Sequence, residues 1–555
     1  MARGRRSVWQ QVTVVRVIQE LFRALLEEVL DMRRVEAKTE ELQRCQEEKL
    51  ALKAQLDALG LSLAKLDIAI KDTELRTMEA ALGTVTVRRH FGDTVTVLRT
   101  RPVGVSAARL RCNFSPYRFI KTVGSCYYVF PAAAHNRFEH SLGVCFLAGQ
   151  LVHALQSRQP ELDISDKDIL CVQLAGLCHD IGHGPFSHLW ELFVKKARPE
   201  KNWKHEDAST KMFDHLLTTN NLTSEFEKYG LKEQDITFIK ELIGDVANNG
   251  SEWCYKGRPK EKAFLYQVVA NKQSGIDVDK WDYILRDCLS LGIKVTFDYN
   301  RLIRFSRVIP VENDGPQICI RDKECNNIYD MFHARRVLHR TAYKHRVVQI
   351  IDHMLVDAFL SADKHIRYTG AQGVKYALAD VCDDMVAYTN LTDEVFHRII
   401  LDEGNHPEVQ YAKNILSDIL RRQLYRCVGH AKPADPNTTR KNLEEALRKQ
   451  IPSDSSLKLD QDLIIIEFEL DYGKKDQNPV DFVYFYGKSS PDKPTKIKRE
   501  ESLMLPKSFQ ERIFRVLCRN SDEDKFKQAQ EFLSAAIKEL DMKPYVEWPS
   551  LFTPS

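Results

Sequence analysis

The chain has 555 residues, 43% of them hydrophobic and 29% charged, the proportions of a globular protein long enough for several domains. A net charge of +3 excludes binding of nucleotides or nucleic acid through bulk charge, so any such binding must use local basic clusters. Thirteen cysteines, an odd number without a CxxC pair, argue against a disulfide framework or zinc ribbon and for a reducing compartment, and no apolar run is long enough to predict a membrane span.

In chain order, MARGRRSVWQQVTVVRV is basic and lacks an acid until Glu20, which suits a nuclear signal or an organellar presequence but equally any Arg-rich start. Residues 1–82 read as helical, chiefly from about Val14 to Ile70. Leu42, Cys45, Lys49, Leu52, Leu56, Leu59, Leu63, Leu66 and Ile70 keep the 3–4 spacing of a coiled coil. Lys49 on the seam and Gly60 inside the helix weaken that pattern, and a single amphipathic helix packed on the rest of the chain fits as well. Residues 83–112 form a divergent linker in which Val and Thr alternate around Gly92-Asp93, as in a short β-hairpin.

Residues 113–431 are predominantly helical by pattern. Ser165 with Asp168 caps a helix whose apolar positions include Ile169, Val172, Leu174 and Leu177. Residues 432–555 return to a smaller α+β lobe. LIIIEFEL (463–470) and VDFVYFY (480–486) predict paired strands joined by a turn, followed by helices over 508–518 and 523–540. Residues 452–456 and 489–494 predict loops. The fold class expected is mainly α, with that lobe attached and a long helix or coiled coil at the N-terminus.

Four stretches carry the candidate chemistry: HNRFEHSLG (135–143), LCHDIGHGPFSH (177–188), HED (205–207) and GIDVDKWDYILRD (275–287). The second holds the chain's His-Asp dipeptide, His179-Asp180. Neighbours on a helix point about 100° apart, so both can face one ion only at a helix end, which Gly182 and Gly184 supply. Two imidazoles with two carboxylates suit a borderline-to-hard divalent ion: iron, manganese, magnesium or zinc. Taken alone, a satisfied buried histidine beside a capping aspartate reads equally well. The surplus tips the balance, because histidines 135, 140, 179, 183, 188 and 205 fall within about seventy residues.

At this point HNRFEHSLGV, AGLCHDIGHGPFSH, GIDVDKWDY-x-x-RDC and HRTAYKHR closely resemble the animal SAM-and-HD-domain deoxynucleoside triphosphate triphosphohydrolases, a branch of the HD superfamily. The resemblance runs from about Phe114 to the C-terminus. It implies a helical HD phosphohydrolase domain over 113–431 and His140, His179, Asp180 and Asp279 as metal ligands. It also implies a second magnesium arriving with the nucleotide. Water would attack the α-phosphorus of a dNTP, releasing deoxynucleoside and triphosphate and lowering dNTP pools. His183, His188 and His205 would surround the triphosphate, with His188 protonating the 5′ oxygen and Glu206 and Glu191 orienting the histidines. Arg137, Lys280, Tyr283 and Arg335 would hold phosphates. Val123, Asp287 and Tyr343 would line the sugar, Tyr343 standing where a 2′-hydroxyl would sit. The resemblance further implies a homo-oligomer (dimer or tetramer), a GTP/dNTP activator, a nuclear location with the cytosol as alternative, and a role in innate immunity.

The chain also departs from that pattern. A SAM domain is not matched; residues 1–82 stand in its place, and 83–112 do not reproduce the hairpin that contributes to the activating guanine site. Of the guanine-reading set only Arg118 is matched, while Leu110 and Ser115 replace an acid and an amide, so GTP activation is expected to be weak or absent. The deoxynucleotide half of that regulatory site is matched at Val129, Phe130, Arg301, Arg321, Lys323, His345, Arg346, Arg422 and Arg426. Thr122 and Lys344 replace glutamines near the sugar. The rival reading is a weakly active or non-catalytic paralogue binding nucleotides or single-stranded nucleic acid through RRQLYR (421–426) and KPTKIKR (493–499). The intact ligand quartet favours an enzyme. Lys280, Tyr283 and Arg335 suit a triphosphate better than a cyclic nucleotide.

Overall fold

The computed structural model describes residues 115–244, 253–497, 506, 508–519 and 521–545, with four more positions at 87–88 and 94–95. The helix read over 14–70 lies outside the described residues. Strands β1 (Val87–Arg88) and β2 (Thr94–Val95) pair antiparallel on either side of Gly92-Asp93, as the Val/Thr alternation predicts. Two compact units divide the chain: residues 1–115 with 216–229, and residues 116–215 with 230–555. The second unit carries all the chemistry considered below.

Its centre is a helical pair. Helix α1 (Arg137–Arg158) starts at Asn136, whose side chain accepts from Glu139 N at 3.1 Å, and buries Val144, Leu147, Leu151 and Leu155 at 3–4 spacing. Helix α2 (Asp166–Cys178) begins with the capping box expected of Ser165 and Asp168 and is buried almost all round. It packs between α1 and a later helix, α5 (Glu233–Ile243), after α3 (His188–Ala197) and α4 (His205–Thr219). Helix α6 (Val278–Leu291) also packs on α1. The start of α1, the end of α2 and the start of α6 therefore meet.

One ion cluster ties this core together. Arg258 donates to Asp168 Oδ1 and to Asp235 Oδ1, each at 2.6 Å, and Lys262 reaches Asp168 Oδ2 at 3.0 Å. Arg258 thereby clamps the first turns of α2 and α5. Arg258→Ala leaves two enclosed carboxylates short of their partner, and we expect a loss of about 3–5 kcal/mol in chemical denaturation. An unchanged denaturation midpoint would contradict that role.

The helical region is interrupted by a hairpin that the sequence reading assigned to helix: β3 (Ser306–Val311) and β4 (Gly315–Arg321), antiparallel from Ser306↔Ile320 to Val311↔Gly315. Short apolar runs such as these do not distinguish strand from helix until a partner is present. Helices α7 (Cys325–Leu338), α8 (Arg346–Ala362) and α9 (Pro407–Arg421) follow, with a π turn at His339–Tyr343 between the first two.

The C-terminal lobe contains a four-stranded antiparallel sheet and, among its described residues, two helices of more than ten residues. Strand β5 is Arg426–Lys432, α10 is Arg440–Gln450 and β6 is Leu463–Asp471. Then come β7 (Phe485–Tyr486), β8 (Gln510–Cys518), α11 (Glu523–Glu539) and β9 (Lys543–Pro544), with sheet order β9-β5-β8-β6. Two expectations are corrected here. Residues 510–518 form the inner strand β8, not a helix, pairing with β6 from Gln510↔Asp471 to Cys518↔Leu463. An inner strand buried on both faces loses the alternation that marks strands in sequence. Nor do 463–470 and 480–486 form a hairpin, because Phe485 pairs in parallel with Ile320 of β4. Helices α10 and α11 close one face of the sheet over Leu443, Leu447, Leu463, Phe514, Val516 and Leu533. Among the described residues no helix is long and apolar enough to cross a membrane.

Candidate active site

Four ligand atoms converge where α1, α2 and α6 meet. His140 Nε2 lies 3.1 Å from Asp279 Oδ1 and 3.3 Å from Asp180 Oδ2; His179 Nε2 lies 3.4 Å from Asp279 Oδ1 and 3.5 Å from Asp180 Oδ2. Ligands about 2.0–2.2 Å from one divalent ion stand roughly 3.0–3.5 Å from each other, so the spacing fits a single ion. The ring orientation fits too. His140 Nδ1 is held by Asp282 Oδ2 at 2.7 Å and His179 Nδ1 by the Gly176 carbonyl at 2.8 Å, which leaves each Nε2 facing the centre. His179 Nε2 is a buried atom with no hydrogen-bond partner, as an atom awaiting a cation would be. Helix α2 ends at Cys178 with His179 as its cap, the helix end that an adjacent His-Asp pair requires. Beyond it the turn is pressed against α4. A side chain at Gly182 would lie 2.1 Å from Ser209 N, and only glycine permits that approach.

Asp282, which the sequence reading passed over, orients the site. It sits one turn after Asp279 on the same face of α6, holds His140, and is itself gripped by Arg286 at 2.8 Å through both oxygens. A Cβ at Gly143 would stand 1.8 Å from Asp282 Oδ1. Because His140 and Arg286 pin that carboxylate, Gly143→Ala must push it off His140. We expect a 10–100-fold loss of metal affinity in a competitive chelator titration, with the fold retained. Unchanged affinity would exclude Asp282 as the orienting group.

Around this centre the pocket is electrically divided. Burial disfavours charge on His140, yet hydrogen bonds to Asp180, Asp279 and Asp282 outweigh it and hold the imidazole well above its usual range. That half of the pocket calls for a cation. On the other side, burial with the charges of Arg137 and His205 drives His183 well below its usual range and His188 down to about 4. That half is short of negative charge. His183 lies 3.5 Å from Asp180 Oδ1 and stacks on His205 at 3.9 Å, and the His188 ring is 5.0 Å from His183 and 5.6 Å from His205. His205 Nδ1 pairs with Glu191 and lies 3.3 Å from Glu206 Oε2, so Glu191 is its nearer carboxylate. His188 is exposed and the Asp279 side chain is 30% exposed, so the site is open to solvent on the side of both.

Arg137 spans the two halves. Buried at 4% exposure, it pairs with Asp180 and donates to Ser187 Oγ at 3.0 Å and to the Thr122 carbonyl at 3.2 Å. Phe186 and Ser187, just before His188, both adopt left-handed backbone (φ 56° and 59°). For non-glycine residues that is strained and persists only when the surroundings hold it. Arg137 holds Ser187, and Asp393 Oδ1 accepts from Phe186 N at 2.7 Å. Asp393 lies two hundred residues from that loop, and no sequence signal points to it.

The remaining residues implied for substrate line the same region. Lys280 is held by Asp277 Oδ2 at 3.0 Å, Arg335 by Asp471 Oδ1 at 2.8 Å, and burial pushes the Tyr283 hydroxyl up to about 12. Tyr343 donates to Asp287, which also takes His135 Nε2 at 2.7 Å. Val123 packs with Tyr343 around Ala342 and Val348. His135, counted among the clustered histidines in the sequence without a role, is thus a further pocket residue. The implied regulatory residues form separate clusters. Val129 and Phe130 join Tyr343, with Phe130 5.7 Å from the His345 ring, and Arg346 is exposed beside them. Arg301 and Lys323 share the ring of Phe305, and Arg321 lies over Tyr486. Arg422 caps α9 in left-handed backbone, Arg426 pairs with Glu523 at 2.7 Å, and Arg118 covers Phe138 at 3.9 Å.

The HD domain family matches residues 137–244, the stretch that supplies His140, His179, Asp180 and the three further histidines. The chain is 50% identical over 424 residues to the deoxynucleoside triphosphate triphosphohydrolase SAMHD1 of Bos taurus, covering 74% of this chain and 72% of that one. Against the Homo sapiens protein of the same name it is 48% identical over 433 residues, covering 76% and 68%. The Dictyostelium discoideum SAMHD1 homolog is 35% identical over 433 residues, covering 78% and 77%. An HD helical core, a centre fitted to one divalent ion and this degree of identity together place the chain in the SAMHD1 family of HD-domain proteins.

Proposed function

We propose that the protein is a metal-dependent dNTP triphosphohydrolase, in which water displaces the deoxynucleoside at the α-phosphorus and inorganic triphosphate leaves intact. The observation that carries this reading is the divided pocket, a cation centre edged by a histidine and arginine wall fitted to a polyanion. His140, His179, Asp180 and Asp279 would hold the ion, and their two nitrogens and two oxygens suit zinc, iron, manganese or magnesium. A second magnesium would enter with the nucleotide. When bound, the divalent ion supplies Lewis acidity, making water more acidic and offsetting charge on a phosphoryl oxygen.

The chain's own residues do the rest. Arg137 spends three N–H groups on Asp180, Ser187 and Thr122, leaving two to face phosphate oxygens. Lys280 and Arg335, fixed by Asp277 and Asp471, add charge at the far end of the triphosphate. His183 and His205 flank it. Burial and the charges of Arg137 and His205 keep His188's affinity for a proton low; a polyanion against it raises that affinity, and the proton then passes to the departing 5′ oxygen. Asp287 accepts from the sugar 3′-hydroxyl, and Tyr343 occupies the space of a 2′-hydroxyl. The regulatory residues, lying in separate clusters on one chain, suit a dNTP site completed between copies in a homo-oligomer, dimer or tetramer. GTP activation is weak or absent without an acid at position 110 and an amide at 115. Control of nuclear dNTP pools is the cellular role this reading implies.

The test is incubation of the purified protein with dGTP and Mg2+ or Mn2+, with and without GTP. Deoxyguanosine and inorganic triphosphate in equal amounts are expected. Release of dGMP and pyrophosphate would place attack at a different bond, and no release would leave a paralogue that only binds nucleotides or single-stranded nucleic acid.

A further inference from the structure

Asp393 ties together two walls of the pocket that lie far apart in sequence. It is buried at 7% exposure, and each carboxylate oxygen accepts from the backbone of a different segment: Oδ1 from Phe186 N at 2.7 Å, Oδ2 from Lys121 N at 2.9 Å. Its own N–H donates to the Phe119 carbonyl at 3.1 Å. The first segment is the turn that delivers His188 at the start of α3. The second leads into Thr122 and Val123, beside the sugar.

The two segments also touch directly. Ser187 Oγ donates to the Lys121 carbonyl at 2.8 Å. A Cβ at Gly124, whose φ is 53°, would stand 2.4 Å from the Phe186 carbonyl oxygen, so the backbones meet where only glycine fits. The second segment is bonded in turn to the start of α1, Thr122 N donating to the His135 carbonyl at 3.1 Å and Arg137 N to the Ile120 carbonyl at 3.0 Å. Sugar wall, phosphate arginine and the turn before His188 thus form one bonded unit.

That turn cannot hold itself. Phe186 and Ser187 both have left-handed backbone, and the Ser187 side chain, engaged with Lys121 and Arg137, does not cap α3. Two backbone N–H groups converging on one short side chain need two acceptor oxygens, which a carboxylate supplies. Asn would offer one acceptor and turn its own N–H groups against the other amide.

We propose that Asp393 is the positioning residue for the acid: it holds the Phe186–Ser187 turn against the sugar wall and so fixes His188 with respect to the 5′ oxygen. This rests on the hydrolase reading, in which His188 gives its proton to that oxygen, and adds a group that acts through His188 without touching substrate. Without Asp393 the turn relaxes and His188 moves off line. The metal ligands on α1, α2 and α6 keep their places, so the loss falls on proton delivery and spares binding.

The experiment compares Asp393→Asn with the unaltered metal-loaded protein on dGTP and on its analogue with sulfur in place of the 5′ oxygen. A thiolate leaves without a proton, so the analogue bypasses the acid. On dGTP, kcat is expected to fall about 100-fold, the size of general-acid catalysis and of a misplacement near 1 Å. KM for dGTP, and kcat on the analogue, should stay within about threefold. His188→Ala should show the same contrast between the two substrates. Hydrogen exchange at Phe186, read in peptide 184–190 without nucleotide, should rise at least about tenfold in Asp393→Asn. Circular dichroism and bound metal are checked first, and Asp393→Ser, smaller and with one acceptor, replaces a variant that does not fold. An equal loss on both substrates overturns the proposal, and so does unchanged exchange. If the unaltered protein releases no triphosphate from dGTP, the hydrolase reading fails, and exchange at Phe186 still decides whether Asp393 holds the turn.

Discussion

Asp180→Ala is expected to remove both bound metal and triphosphate release, taking turnover to background. Its Oδ2 lies within 3.3 Å of His140 Nε2 and 3.5 Å of His179 Nε2, and Arg137 pairs with the same carboxylate. Without it the centre keeps two imidazoles and Asp279 while Arg137 loses its counter-charge, so positive charge replaces negative beside the ion's position. Asp180→Asn is the finer test, because it preserves size and can still accept from Arg137 while removing only the negative charge. Elemental analysis of both variants should find the metal gone, with circular dichroism unchanged. Either variant retaining a full complement of metal would show that Asp180 is not a ligand.

The second large effect concerns the sugar. dATP is expected to turn over about 100-fold faster than ATP, the discrimination a shaped pocket achieves against one added hydroxyl. Asp287, 2% exposed, already accepts from the Tyr343 hydroxyl and from His135 Nε2, so the carboxylate and the phenol ring are fixed with respect to each other. A 2′-hydroxyl would have to enter the volume that Tyr343 fills. Tyr343→Ala should open that volume and bring dATP and ATP within about tenfold, the difference of a pocket that no longer clashes. Tyr343→Phe keeps the ring and should retain the preference while raising KM, because Asp287 loses one of its donors. Equal turnover of ATP and dATP by the unaltered protein would point first to Thr122 or Lys344, where this chain departs from the usual glutamines.

The pattern of residues along the chain brought out the histidine-rich motifs, and the family resemblance named His140, His179, Asp180 and Asp279 within them. His179 and Asp180 are neighbours at a helix end, in a motif short enough for spacing to stand in for geometry, whereas Asp282, one turn after Asp279, gave no such signal. The capping box of α2 was legible on the same grounds. Roles that depend on contact between distant segments were not. Asp393 supports the loop before His188, Asp471 holds Arg335, and Gly143 makes room for Asp282, and nothing near these residues in sequence announces the partner.

The C-terminal lobe shows the same division. An apolar stretch such as residues 510–518 suits either a buried helix or an inner strand by composition alone, and becomes a strand because β5 and β6 offer hydrogen bonds on both edges. Phe485 and Tyr486 join β4 instead of β6 for a similar reason, since an open edge 165 residues earlier in the chain is closer in space. Sequence by itself brought out the histidine-rich motifs that could meet a metal, because helix ends and helix periodicity act within a few residues, and the family resemblance assigned the four ligands within them. Tertiary structure alone decided which histidines hold a proton weakly, which carboxylates orient them and which strands pair. Those outcomes depend on burial and on hydrogen-bond partners, and both exist only after the chain has folded.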